Sequence, residues 1–279
     1  MGPVLLLPPG PVLSFAPGRT PVGTRLGPVF TPQGPTFGEL AVQALSSTRR
    51  GYDLLAPKFD ATPFRTPDAV LDPVTEALRP YGPFARGLDV CCGTGAGVRV
   101  LGELCGERVT GVDFSAGMLA RARERAAADP EGAGPARTGP APRLDWVQAD
   151  ARALPFREVF DLAVSFGAFG HFLPAERPAL FAQVYAALRP GGRFAFPVLA
   201  PPGPRTRLYW TLFGFDAAMR VRNALWRPKF IMYYRTFPLS GVLADLERTG
   251  FTVALVPLPG LGSLPDGSPR ARLLVARRD

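Results

Sequence analysis

Short apolar runs bounded by turn-forming residues recur along most of the chain, at 87–92, 108–113, 144–148, 160–166, 192–198, 252–256 and 272–276. Each has the length of a strand and is too short for a helix. Between them lie segments with apolar residues at helical spacing, at 97–104, 115–127, 175–188 and 239–249. Ser115 stands where a helix N-cap belongs, and Gly250 where a C-cap glycine belongs. Seven strands, the first five alternating with helices, predict an α/β fold: a doubly wound, mostly parallel seven-stranded sheet with helices on both faces. A ligand of such a sheet lies beyond the C-terminal strand ends, at the topological switch point.

Ahead of the first strand, 38–50 and 52–59 read as short helices. Thr66-Pro67-Asp68 reads as a helix start, with Thr66 capping and Pro67 in the first helical position of a helix over 67–78. Residues 1–36 hold nine prolines and six glycines, which predicts an extended, poorly ordered arm. Two segments interrupt the alternation: a flexible insertion at 129–142 and a long one at 200–237, rich in Trp, Tyr, Phe and Arg. The expected organisation is an arm (1–36), an N-terminal helical cap (37–84) and a main domain (85–279) carrying a lid insertion (200–237).

Composition narrows the setting. A chain of 279 residues with 47% hydrophobic content buries one large core. No apolar run reaches the roughly 18–20 residues of a membrane span. The first nine residues lack a basic leader and a sustained apolar region, so they read as a tail and the expected location is cytoplasmic. Cys91, Cys92 and Cys105 fit no disulfide framework, and a single His without C-x-x-C argues against zinc, so no metal is expected. The net charge of +9 is almost entirely arginine, Lys58 and Lys229 being the only lysines. With no long basic run, that bias reads as compositional, and nucleic acid is not the expected partner.

The chemistry begins at Leu88-Asp89-Val90-Cys91-Cys92-Gly93-Thr94-Gly95-Ala96-Gly97, a strand entering a glycine turn and then a helix. Such a turn lets backbone approach a ligand, and the helix start offers free N–H groups. A dinucleotide fingerprint would need glycine at 98, where Val98 stands. Asp113 ends the next strand about 20 residues on, placed to accept two ribose hydroxyls. Four blocks then follow in order: Asp113-Phe114-Ser115-Ala116-Gly117-Met118-Leu119, Gln148-Ala149-Asp150-Ala151-Arg152-Ala153-Leu154-Pro155-Phe156, Phe160-Asp161, and Leu188-Arg189-Pro190-Gly191-Gly192-Arg193.

Together these blocks resemble the class I S-adenosylmethionine-dependent methyltransferases, and among them the small-molecule branch that includes the ubiquinone/menaquinone biosynthesis enzymes. The resemblance covers residues 87–196, and the last two strands by pattern. It implies a Rossmann-like fold, S-adenosyl-L-methionine as donor, and methyl transfer to a small-molecule acceptor. It implies further that Asp89 orients the donor's methionine part and that Gly93 and Gly95 approach its backbone. Asp113 would hold the ribose, Phe114 or Met118 flank the adenine, and Asp150 accept from the adenine amino group with the Ala151 N–H nearby. Ser165 and Phe166 would face the sulfonium. Tyr52 and the turn at 64–68 lie where relatives close over the cofactor. The plainer readings stay open: Asp150 as a cap, and Phe114 with Met118 as packing at i, i+4 spacing. Cys91 departs from the family loop D-x-G-x-G-x-G, whose first glycine falls there. The site needs a small side chain, so a slight shift with retained binding is expected.

His171, the sole histidine, stands in the loop after the fourth strand, where related enzymes place a base near the transferred methyl. Its other reading is a bond to a backbone carbonyl. The preceding Ser165-Phe166-Gly167-Ala168 lacks the Asn/Asp-Pro-Pro-Tyr of amino-methylating DNA and protein-glutamine enzymes, and the paired glutamates of arginine methyltransferases. Cytosine C5 chemistry needs a Pro-Cys that the chain lacks. The insertion carries Tyr209, Trp210, Phe213, Phe215, Trp226, Phe230, Tyr233 and Tyr234 interleaved with Arg205, Arg207, Arg220, Arg222 and Arg227. This suits an apolar or aromatic acceptor, or peripheral contact with an anionic membrane; packing onto the sheet is the plainer alternative. The competing functions are an RNA methyltransferase with the same cofactor site, a non-catalytic S-adenosylmethionine-binding module, and an NAD oxidoreductase, which Val98 disfavours. No oligomeric state is assigned.

Overall fold

The computed structural model describes residues 31–128, 140–234 and 237–279. The expected arm and the expected insertion at 129–142 therefore fall outside the described residues, except for 31–36 and 140–142. In chain order the helices are α1 (Phe37–Leu45), α2 (Thr48–Leu55), α3 (Asp68–Leu78), α4 (Ala96–Leu104), α5 (Ala116–Ala128), α6 (Arg177–Ala187), α7 (Arg207–Leu225) and α8 (Leu239–Thr249). The strands are β1 (Phe84–Val90), β2 (Cys105–Asp113), β3 (Arg143–Gln148), β4 (Phe160–Val164), β5 (Leu188–Leu199), β6 (Phe251–Pro257) and β7 (Ala271–Arg278).

All seven expected strands join one sheet of order 3-2-1-4-5-7-6. Strands β1 to β5 pair in parallel, and β7 runs antiparallel between β5 and β6. A parallel sheet must be covered on both faces, and the central strands read accordingly: Leu88, Leu162, Ala163, Phe194 and Phe196 are fully buried. Helices α3 and α4 cover one face through Leu71, Val74, Val100 and Leu101. Helices α6 and α8 cover the other through Leu180, Phe181, Val184 and Leu246. The order reverses between β1 and β4, so the crevice for a ligand opens there.

Local chemistry sets several boundaries. Ser115 caps α5, its Oγ accepting from the Met118 N–H at 3.1 Å, and Gly250 ends α8 with φ 105°. The expected single helix over 38–50 is two: Ser46 turns its hydroxyl back onto the Val42 carbonyl and ends α1, and Ser47 caps α2. The 52–59 helix is likewise redrawn, with Tyr52 on α2 and Pro57 inside a 3-10 stretch, Ala56–Ala61. Thr66 does not cap α3; Pro67 is the N-cap with extended ψ, and no side chain bonds the first turn. Helix α7 occupies half of the 200–237 insertion and was not expected, because its residues alternate with no helical polar–apolar period. Among the described residues no helix is long and apolar enough to cross a membrane.

The start of α4 rests directly on β1. A Cβ added at Gly97 would lie 2.5 Å from the Asp89 carboxyl carbon, so only glycine lets this helix begin where it does. Gly97→Ala is therefore expected to cost about 2 kcal/mol or more by overpacking. Combining it with Asp89→Ala, which clears the space, should recover most of the loss in urea denaturation.

Candidate active site

The C-terminal ends of β1 to β5 and the segments above them enclose a cavity of about 240 Å³. Its floor comes from the β1 loop. Cys91 and Cys92 both line it, and the turn proceeds through Gly93 to Gly95, which caps α4 with φ 93°. Cys91 itself takes φ 59°, the left-handed region. The glycine expected at this position thus answers a backbone need as well as the size limit, and Cys91 carries strain of about 1 kcal/mol. A Cβ added at Gly93 meets nothing within 4 Å, so the turn leaves room for a ligand. Burial pushes both thiols well above their ordinary range, with Asp113 and Asp89 nearby adding to the shift, so they stay protonated.

One carboxylate anchors the loop and a second lies beneath it. Asp113, at the end of β2, accepts the N–H groups of Gly93 and Ser115, each at 2.9 Å, and lines the cavity. Burial pushes its pKa up to about 6, against the pull of those N–H groups. Asp89 lies a layer beneath, 1% exposed and outside the cavity lining. Neither of its oxygens has an ordinary hydrogen-bond partner among the described residues. Burial raises it to about 8, although the Gly97 and Val98 N–H groups favour its anion. Gly95 and Ser165 also lie outside the lining. Ser165 is a strut: its Oγ donates to the Val90 carbonyl at 2.8 Å, tying β4 to β1.

The remaining expected residues meet around the cavity. Phe114 and Met118 line one side; Asp150 and Ala151 follow β3; Phe166 follows β4. Asp150 is held by Arg152, 2.6 Å away, whose guanidinium lowers its pKa and also pairs with Glu176. Asp150 acts as a turn residue as well, accepting the Arg152 N–H at 2.8 Å.

The cap closes the cavity from above. Asp53 on α2 accepts the Ser115 hydroxyl at 2.6 Å and the Gly117 N–H at 3.0 Å, and Asp60 accepts the Thr94 hydroxyl at 2.7 Å. These bonds fasten the helical cap to the starts of α4 and α5. Neither acid was singled out in the sequence; each acts on a residue more than thirty positions away, and no local pattern marks it. Tyr52, beside Asp53, meets His171: its hydroxyl lies 2.8 Å from Nε2. The His171 Nδ1 lies 2.7 Å from the Ile231 carbonyl. A carbonyl only accepts, so Nδ1 carries the proton and Nε2 accepts from Tyr52. Burial lowers the His171 pKa and raises that of Tyr52 well above its ordinary 10, so both are neutral. Ile231, Met232 and Tyr234 of the insertion complete the wall.

Residues 88–192 match the family described as a methyltransferase domain. A 2-phytyl-1,4-naphtoquinone methyltransferase of Nostoc punctiforme is 30% identical over 175 residues, 60% of this chain and 72% of the relative. The chain belongs to the class I S-adenosylmethionine-dependent methyltransferases. A ubiquinone/menaquinone biosynthesis C-methyltransferase of Roseobacter denitrificans is 32% identical over 142 residues, 50% of this chain and 52% of the relative. A Thermosynechococcus vestitus 2-phytyl-1,4-naphtoquinone methyltransferase is 34% identical over 113 residues, 40% of this chain and 44% of the relative. The chain thus spans about half the length of these last two relatives. Among solved structures, magnesium protoporphyrin IX methyltransferase from Synechocystis with bound SAH aligns at TM-score 0.50 and 17% identity, over 75% of this chain and 82% of that one. That likeness is one of fold.

Four outcomes test the cradle. To accept two ribose hydroxyls Asp113 would have to be ionised, and its raised pKa means that its charge is lost as pH falls through about 6. S-adenosylhomocysteine affinity, read by calorimetry, should therefore weaken by about tenfold per pH unit below that point. Asp113→Asn should bind at least about tenfold more weakly at neutral pH and lack this acid limb. At position 91, Cys91→Val should cost about 1–2 kcal/mol in chemical denaturation, because a β-branched residue resists the left-handed region. Cys91→Gly should be near neutral, relief of strain offsetting added unfolded-state entropy.

Proposed function

We propose that the protein transfers a methyl group from S-adenosylmethionine to a small apolar or aromatic acceptor. The observation that carries this reading is the juxtaposition of Asp113 and the open Cys91–Gly93 turn with a neutral Tyr52–His171 pair, all in one cavity. The cradle fits the donor. Asp113 lines the cavity with both oxygens held by backbone N–H groups, which leaves each oxygen a further lone pair, and the turn is uncrowded. Phe114 and Met118 would flank the adenine, Asp150 and the Ala151 N–H would meet its edge, and Phe166 would lie toward the sulfonium. Bound there, S-adenosylmethionine supplies an activated methyl whose leaving group is a neutral thioether.

The chain's own task is then alignment, exclusion of water and movement of one proton. His171 acts through Tyr52. With Nδ1 fixed by Ile231, the Nε2 lone pair holds the phenol proton and turns the phenol oxygen's free lone pairs toward the cavity. As the acceptor attacks, its acidic proton passes to the Tyr52 oxygen while the phenol proton moves to Nε2. A low His171 pKa keeps this relay receptive down to mildly acidic pH.

The apolar acceptor follows from the wall opposite the cradle, where Phe59, Phe64, Val70, Leu199 and Met232 face the cavity. Relatives named for naphthoquinone and for ubiquinone/menaquinone substrates point to a quinol-like ring. The segment 200–237 serves as the lid of a catalytic domain over 85–279, with 37–84 as the helical cap, and contact with a membrane through that lid suits such an acceptor. Free thiols at 91, 92 and 105 suit a reducing compartment, the cytoplasm.

Turnover with S-adenosylmethionine and a panel of hydroquinones tests the reading. Tyr52→Phe and His171→Ala should each lower kcat by about 10²-fold or more with S-adenosylhomocysteine affinity nearly unchanged. A chain that binds no S-adenosylhomocysteine would overturn the donor; equal turnover in Tyr52→Phe would overturn the relay.

A further inference from the structure

Helix α7 has no polar face. Its inner side is buried through Leu212, Asp216, Met219 and Asn223, spaced to form one stripe. The opposite stripe runs Trp210, Gly214, Ala217, Val221 and Leu225, all apolar and all exposed. Trp210 is 60% exposed, Val221 58%, Leu225 80% and the following Trp226 52%. A surface helix ordinarily puts charge there, and a continuous apolar stripe marks an interaction site.

The charges around the stripe say what covers it. Arg205, Arg207, Arg220, Arg227 and Lys229 are exposed along its flanks and ends. Asp216 is the only acid between 200 and 234, and it is buried, accepting the Tyr234 N–H at 2.8 Å. Arg222 donates to the Ser46 carbonyl at 3.2 Å, so the end of α1 adjoins this segment. There Val42 and Leu45, 55% and 49% exposed, extend the apolar surface, and Arg49 and Arg50 extend the basic rim. A second copy applied to this face would bring cations against cations. A layer of anionic headgroups over hydrocarbon satisfies both the rim and the stripe.

We propose that the outer face of α7, with the end of α1, docks on an anionic lipid surface. The same segment carries Ile231, Met232 and Tyr234 into the cavity wall on its other side. Docking thus sets the cavity close to the phase in which an apolar acceptor dissolves. That purpose rests on the proposed acceptor; lipid binding itself does not.

Co-sedimentation of the intact chain with vesicles tests this, using phosphatidylcholine alone or mixed with phosphatidylglycerol. Binding to the mixed vesicles should be at least about tenfold tighter than to phosphatidylcholine and should weaken steeply with salt. Two of the three tryptophans lie on this face, so emission should shift to the blue on binding. The pair Val221→Ser with Leu225→Ser should lose about tenfold in vesicle affinity while binding S-adenosylhomocysteine as the parent does. A parent chain that binds S-adenosylhomocysteine but shows no preference for anionic vesicles overturns the proposal. So does a variant that binds vesicles equally well, or a dimer in solution that these two substitutions convert to monomer. None of these outcomes touches the donor site, and loss of S-adenosylhomocysteine binding with vesicle binding intact would overturn only the methyltransferase reading.

Discussion

The carboxylate of Asp113 joins parts of the chain that the sheet alone would leave apart. It accepts N–H groups from the turn after β1 and from the start of α5, so two loops share one anchor at the switch point. Ser115 passes the connection on through its hydroxyl to Asp53 of the cap. The neighbour of Asp53, Tyr52, reaches His171 beyond β4, and His171 reaches Ile231 of the insertion. The β1 turn, α5, α2, the segment after β4 and the 200–237 insertion are thus joined by one series of polar contacts around the cavity. Each link is partly or fully shielded from water, where a broken hydrogen bond is costly because its partners are left unsatisfied.

The same shielding sets the charge state of the site. Burial keeps Tyr52, His171 and both cavity thiols neutral, and raises Asp113 and Asp89 above ordinary carboxylates. Asp150 differs because Arg152 lies against it and holds it ionised. The Tyr52–His171 pair is therefore uncharged, while Arg65, Asp113, Asp150, Arg152 and Glu176 line the rest of the cavity. The protein's contribution is largely placement.

Strand-length apolar runs made all seven strands legible, and in β1, β4 and β5 the cause is burial of both faces of the parallel sheet, which leaves a continuous signal. Asp113 and its serine cap were legible for a related reason: ligand chemistry and helix capping demand particular residues at fixed offsets. The demands of tertiary packing were less visible. Helix α7 was hidden because a helix apolar on opposite sides has no period to detect. Thr66 reads as a cap beside Pro67, yet the chain spends it on the cavity wall instead. The glycine rule at 91 was read as a matter of size, whereas the backbone shows a matter of torsion. Asp89, Gly95 and Ser165 carry motif positions but lie outside the cavity lining. The pairing of Tyr52 with His171, 119 positions apart, leaves no trace in either neighbourhood.

Strand β6 touches the sheet only through β7, which follows it in the chain. During synthesis, therefore, β6 leaves the ribosome before its sole neighbour exists. The free side of β5 stays open over the same interval, presenting Phe194 and Phe196 on an unpaired edge. Such an edge is a template for wrong pairing, and a chaperone that shields it would act in that window. The floor of the cavity is built on β1 to β5 and their loops. That floor is thus available to fold first, and sealing the sheet is a separate, later event.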